Sequence, residues 1–125
     1  MDRFFTGFGA GLMFLAVAAG AFGAHGLRDY FSRYPELAGT YDTAVRYHMI
    51  HALALFIVAW AGQKWAISFV NWAGYLFLAG IFIFSGSLYL LVLTRVRWLG
   101  AITPLGGLAF LAGWLLLVLA MWRAT

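Results

Sequence analysis

The chain has 125 residues, 65% of them hydrophobic and 10% charged, with a mean hydropathy of +0.91. A soluble fold of this size hides only about two-thirds of the surface its chain exposes, so a water-solvated domain is excluded and a bilayer must cover the remainder. The net charge of +4 comes from basic residues standing singly at the ends of apolar runs, a pattern of topology and headgroup anchoring that excludes nucleic acid as a partner; the absence of cysteine excludes disulfides, thiolate metal sites and thiol nucleophiles.

The first apolar run, residues 4–27, exceeds the ~7–15 residues of a secretory apolar region and is expected to stay as a membrane span. Its small residues Gly9, Ala16, Gly20, Gly23 and Ala24 recur at helical spacing, which suits close helix packing in lipid. The polar stretch from Arg28 to Asp42 interleaves charges with Tyr30, Phe31, Tyr34, Leu37 and Tyr41. It predicts a short interfacial helix, broken at Pro35. Thr40 or Asp42 would then cap a second span over residues 43–61. A short turn at residues 62–64 makes the second and third spans an antiparallel hairpin, the third covering residues 65–93. After Thr94-Arg95-Val96-Arg97 comes a fourth span over residues 98–122. It starts either near Trp98 with a kink at Pro104, or at Thr103-Pro104. Gly106, Ala109 and Gly113 form a second small-residue stripe, expected to pack on that of the first span.

The sequence thus reads as one all-α membrane domain over residues 1–125: a four-transmembrane-helix bundle with a short interfacial segment between helices 1 and 2. Arg28, Arg33, Arg46, Arg95 and Arg97 fall at one end, and Arg3, Lys64 and Arg123 at the other. The more basic end is expected in the cytoplasm, which puts both termini on the far side. Trp60, Trp65, Trp72 and Trp122 form the aromatic belt of the terminal end, with Tyr30, Tyr34 and Tyr41 at the other.

Ionisable groups in spans are the best pointers to function, because each is costly if left alone in hydrocarbon. His25 closes the first span, and Arg46, His48 and His51 lie early in the second. At about 100° per residue, His48 and His51 share a face with Tyr41 and Ala44, while Asp42 and Arg46 form an i,i+4 pair on nearly the opposite face. His25 returns to the same membrane level, so three imidazoles converge near one surface. Imidazoles of this kind suit a transition metal, yet no carboxylate faces them and there is little room for haem, so no cofactor is expected. Other readings of the cluster, which also holds Ser85 and Tyr89, are a proton or substrate relay and simple mutual hydrogen bonding. No histidine sits at hydrolase-like spacing from Ser85, and the glycines at positions 7, 9 and 11 lie within a span, without the lysine of a phosphate-binding loop.

Four strings occur in order: Gly20-Ala21-Phe22-Gly23-Ala24-His25-Gly26, Tyr47-His48-Met49-Ile50-His51-Ala52-Leu53, Phe84-Ser85-Gly86-Ser87-Leu88-Tyr89 and Ile102-Thr103-Pro104-Leu105-Gly106-Gly107. Together they resemble the YgdD-like family of small bacterial inner-membrane proteins, domain of unknown function 423, over about Gly9 to Trp122. A mitochondrion-associated transmembrane protein of animals is similar. The resemblance implies a four-span inner-membrane protein and no particular activity. Arg95-Val96-Arg97 departs from it where many relatives carry a glycine.

The expected function is non-enzymatic: an accessory, scaffold or lipid-interacting protein whose partners are the bilayer and a second copy or larger membrane complex. The alternative is a small transporter or channel lined by His, Arg and Tyr, and a third reading is a metal-binding protein or enzyme. Gly20, Gly23, Gly106 and Gly113 are the expected packing positions.

Overall fold

The computed structural model describes residues 2–123, and every regular element among them is helical. Helix α1 (Asp2–His25) leads into the short α2 (Arg28–Arg33), followed by α3 (Pro35–Ala61). The third span consists of α4 (Ile67–Gly80), a π-helical turn (Ile81–Ser85) and α5 (Gly86–Thr94); a 3₁₀ turn (Arg97–Ala101) then precedes α6 (Thr103–Arg123). The segments Asp2–His25, Pro35–Ala61, Ile67–Thr94 and Arg97–Arg123 are each long and apolar enough to cross a bilayer.

The second span begins earlier than its hydropathy suggests. Tyr34 leaves the helical region with φ −129°, and Pro35 opens α3 instead of ending a helix, as its missing N–H and fixed φ suit a first turn. Thr40 and Asp42 are therefore not caps. They lie inside α3, where polar residues continue the helix beyond the hydrocarbon. The fourth span takes the Thr103-Pro104 start, with a 3₁₀ turn where a kinked α-helix was the alternative.

The π turn was not foreseen. Phe77, Ile81 and Ser85 are buried at steps of four, wider than the 3.6 of a regular helix, and a wider turn keeps that line facing the bundle.

In space, α1 packs along α3, α3 against the third span, and the third span along α6. Two antiparallel hairpins thus lie side by side. Their seams depend on close backbone approach. A Cβ at Gly9 of α1 would stand 3.0 Å from the Ala52 carbonyl oxygen, and one at Gly106 would fall on the backbone of Phe84. A Cβ at Gly113 would meet the Phe77 ring, one at Gly23 the Tyr41 ring, and one at Gly20 would lie 3.7 Å from Val45. The stripe on α6 therefore packs against the third span, not against α1, whose small residues face α3.

Large apolar side chains point outward as well as inward. Phe14, Leu15 and Val17 on α1, and Leu105, Leu108, Leu111 and Leu115 on α6, are exposed. Contiguous apolar surface of this kind needs lipid around it.

Polar contacts mark the two ends. At one, Gln63 donates to the Asp2 carboxylate at 2.9 Å, and Lys64 and Arg123 lie over the rings of Trp60 and Phe69. At the other, α2 is tied to the third span: Tyr30 donates to the Val92 carbonyl at 2.6 Å, and Arg95 donates to the Tyr34 hydroxyl at 2.6 Å. Arg95 adopts the left-handed conformation, φ 61°, that usually selects glycine after a helix. Its guanidinium, 4.6 Å from the centre of the Tyr34 ring, supplies contacts that offset the backbone cost.

Candidate functional site

Spans two and three meet through a polar ladder. Ser85 donates to the Ala44 carbonyl at 2.7 Å, and one turn further on the Tyr89 hydroxyl lies 2.9 Å from His48 Nδ1. The two helices run antiparallel, so one turn on from Ala44 and one turn on from Ser85 lead toward opposite ends. The long His48 and Tyr89 side chains, each leaning toward its own helix N-terminus, reach back to each other. On another face of the third span, Ser87 and Thr103 share a hydrogen bond of 2.5 Å, which ties the start of α6 to α5.

His48 and His51 are 5% and 3% exposed, and they serve different clefts on the two flanks of α3. His51 Nδ1 is 2.8 Å from the Tyr47 carbonyl, and Trp114 Nε1 donates to His51 Nε2 at 3.0 Å. An indole N–H can only donate, so Nε2 accepts and Nδ1 carries the proton it gives to Tyr47. The ring also stacks on Phe110, with centroids 3.5 Å apart and planes 7° from parallel. His51 is thus a fully bonded brace between α3 and α6. The cleft beside it, about 800 Å³, is lined by Arg46, Tyr47, Ile50, Phe84, Leu111 and Trp114 among others. Arg46 at its mouth is bonded to Asp42 at 2.7 Å, both side chains being exposed.

The second cleft, of about 470 Å³, lies between α1 and the third span. Its inner wall holds Leu12, Ile81, Gly86, Tyr89, Tyr41 and His48. Its outer rim holds Leu15, Phe22, Phe82 and Leu93, which are themselves on the lipid-facing surface. No charged side chain lines it. Tyr41 is held in the wall by donating to the Ala19 carbonyl of α1.

His48 Nε2 is, among the described residues, the buried side-chain polar atom without a hydrogen-bond partner. The Leu12 carbonyl of α1 is the polar group near it, without closing a bond. That neighbour sets the tautomer. A lone pair on Nε2 would face the carbonyl oxygen, whereas an N–H there faces it favourably, so Nε2 carries the proton and Nδ1 accepts from Tyr89.

The expected convergence of three imidazoles does not occur. His25 is exposed at the C-terminal end of α1, away from the two buried rings. Among the described residues no group of three His, Cys, Asp or Glu is placed to hold a metal. The ring partners Tyr47, Phe110 and Trp114 were not singled out in the sequence. Phe110 and Trp114 stand at i,i+4, a spacing indistinguishable from ordinary packing until α3 is laid beside α6.

Four lipid-facing spans, paired in two hairpins and opening laterally on either side of α3, define a small multi-pass membrane protein; a helical bundle is the inner (plasma) membrane form, as outer membranes take closed barrels. Residues 19–107 match the family model described as protein of unknown function (DUF423), and the chain belongs to this family of UPF0382 membrane proteins. It is 45% identical to a UPF0382 membrane protein of Staphylococcus haemolyticus over 121 residues, covering 97% of each chain. It is 51% identical to the UPF0382 membrane protein YwdK of Bacillus subtilis over 108 residues, 85% of each. A relative in Staphylococcus epidermidis is 50% identical over 106 residues, covering 85% of this chain and 84% of the other. No solved structure matches the chain.

Proposed function

We propose that this protein is a non-enzymatic, lipid-interacting accessory protein that holds a molecule drawn from the bilayer in the cleft between α1 and the third span. The supporting observation is the cleft itself. It has the volume of a small-ligand site, apolar walls, and a rim that faces lipid instead of water. A polar pathway for a transporter would need its ionisable groups in one channel, whereas Arg46 and His51 lie on the opposite flank of α3 from His48 and Tyr89.

Gly86 tests the reading cleanly, because a Cβ there would meet no atom within 4 Å. Gly86→Leu should fill the cleft and leave the helices in place. Native mass spectrometry of protein released from nanodiscs should show retained lipid on the wild type and at least about tenfold less on the variant, the equivalent of one lost apolar anchor. Equal retention would remove the proposal.

The same reading takes in a protein partner, whether a second copy or a larger membrane complex. Gly7 and Gly11 of α1 carry no neighbour within 4 Å of a built Cβ, so another span can approach closely there. For topology we propose that the end bearing Arg28, Arg33, Arg95 and Arg97 is cytoplasmic, with both termini outside. The chain has no cysteine, so single introduced thiols report sidedness. An impermeant maleimide added to intact cells should label Gln63→Cys and not Ser32→Cys; the reverse pattern inverts the assignment.

A further inference from the structure

We infer that the α6-side cleft holds an anionic phospholipid of the phosphatidylglycerol type, its phosphate bound by Arg46 and one acyl chain laid along α6. This site is separate from the α1-side cleft and adds headgroup selectivity on the opposite flank of α3.

Charge singles out this cleft. Arg46 is the one charged side chain lining it, and the α1-side cleft has none. The guanidinium is exposed and is bonded to Asp42 through Nη2 at 2.7 Å. Asp42 itself lines a different depression, beside Gly20 and Gly23 of α1. The acid therefore stands outside the cleft and takes one corner of the guanidinium, leaving the other N–H donors for a second anion.

Depth places that charge at the level of lipid phosphates. Ala61 closes α3 at the terminal end, and Arg46 lies about 22 Å before it at 1.5 Å per residue. A helical side chain leans toward its helix N-terminus. The bond to Asp42 shows that Arg46 does so, which carries the guanidinium one turn further, to about 28 Å. That is close to the ~30 Å thickness of the hydrocarbon core.

Below the guanidinium the cleft has the length and walls of one acyl chain. Along α6 its lining runs through Pro104, Gly107, Leu108, Leu111 and Trp114. From Pro104 to Trp114 the rise is about 15 Å at 1.5 Å per residue, the depth of one leaflet of a ~30 Å core. Ile50, one turn below Arg46, lines the facing wall. Ile50, Leu108 and Leu111 are exposed, so a chain enters sideways from the bilayer. Deeper in the wall His51 and Trp114 satisfy each other, and nothing polar is required of the chain there. A zwitterionic headgroup already pairs its phosphate with its own ammonium, so a net-negative headgroup gains more from Arg46. One cation near the membrane surface corresponds to about fivefold in affinity.

The test uses the full-length protein in nanodiscs of equimolar phosphatidylglycerol and phosphatidylcholine with matched acyl chains, each retained lipid being counted by native mass spectrometry. The wild type should retain phosphatidylglycerol over phosphatidylcholine by about fivefold at low salt. Arg46→Gln should bring the two lipids close to parity, and Arg46→Lys, which keeps the charge, should preserve an excess. Gly107→Leu should remove the excess by filling the cleft; a Cβ there would lie 3.8 Å from the Phe84 ring, an ordinary contact that leaves the helix seam in place. Gly86→Leu fills the other cleft, which no charged side chain lines, and should leave the excess unchanged. Retention of both lipids in the proportions of the disc, or an excess that survives Arg46→Gln, overturns the inference and leaves the lipid-holding reading of the α1-side cleft untouched. An excess lost in Gly86→Leu and kept in Gly107→Leu moves the anionic lipid to the α1 flank and overturns it as well.

Discussion

The two flanks of α3 carry the same side chain at positions three apart and treat it in opposite ways. On the α6 side, His51 has a partner for each nitrogen and a ring stacked on its face. On the α1 side, His48 has one bond to Tyr89, and its Nε2 faces the Leu12 carbonyl without closing a bond. The larger cleft is the one whose buried polar groups are satisfied; the smaller one holds the open valence. Cavity size and hydrogen-bond accounting thus point to different flanks.

If the α6 flank is structural, damage there should cost stability, and the largest loss should come where backbones touch. Gly106→Leu would force a side chain into the backbone of Phe84. Neither backbone can yield without parting α6 from the third span, so we expect a loss above about 3 kcal/mol. Reversible unfolding in mixed detergent and dodecyl sulfate measures it. A variant as stable as the wild type would show that α6 is not locked at this seam.

His51→Ala comes next. It leaves the Trp114 N–H without its acceptor and strips the stacking partner from Phe110, which we expect to cost about 2 kcal/mol. The loss should be much reduced when Trp114→Phe is added, because both ends of the bond are then gone; additive losses would show that Trp114 finds another acceptor.

The α1 flank should behave differently. His48→Phe with Tyr89→Phe replaces both partners of one hydrogen bond by apolar rings and also removes the incomplete donor. Such exchanges are close to neutral, so the change should stay within about 0.5 kcal/mol. A loss as large as that of His51→Ala would make His48 a second brace and erase the distinction between the flanks.

These features were legible in the sequence to very different degrees. Four apolar runs and short turns suffice for the spans, because hydrocarbon imposes a length and a composition. The Ser85–Tyr89 and Ala44–His48 spacings already placed each pair on one face. Three things needed the third dimension. Pro35 could end a helix or begin one, and the two differ in the conformation of Tyr34 alone. The π turn shifts the phase of the third span by a residue, and no side chain announces it. His48 and His51, about 60° apart on the wheel at 100° per residue, look like one site until α1 and α6 are placed on opposite flanks. His25, at the right depth by chain order, is exposed at the end of α1, while Gly23 of the same turn is the residue that faces Tyr41 of α3.

The smallest effect is expected at the mouth of the α6-side cleft. Asp42 and Arg46 form a 2.7 Å ion pair with side chains 64% and 67% exposed. Coulomb attraction is screened there and both side chains give up rotamer freedom, so pairs of this kind contribute little. Asp42→Ala should change stability by less than about 0.5 kcal/mol, with the difference shrinking further in high salt. It should also leave lipid retention in the α1-side cleft at the wild-type level, since Arg46 borders the other cleft. If Asp42→Ala instead altered retention there, charge on the α6 flank would be felt across α3, and the two flanks would have to be treated as one coupled site.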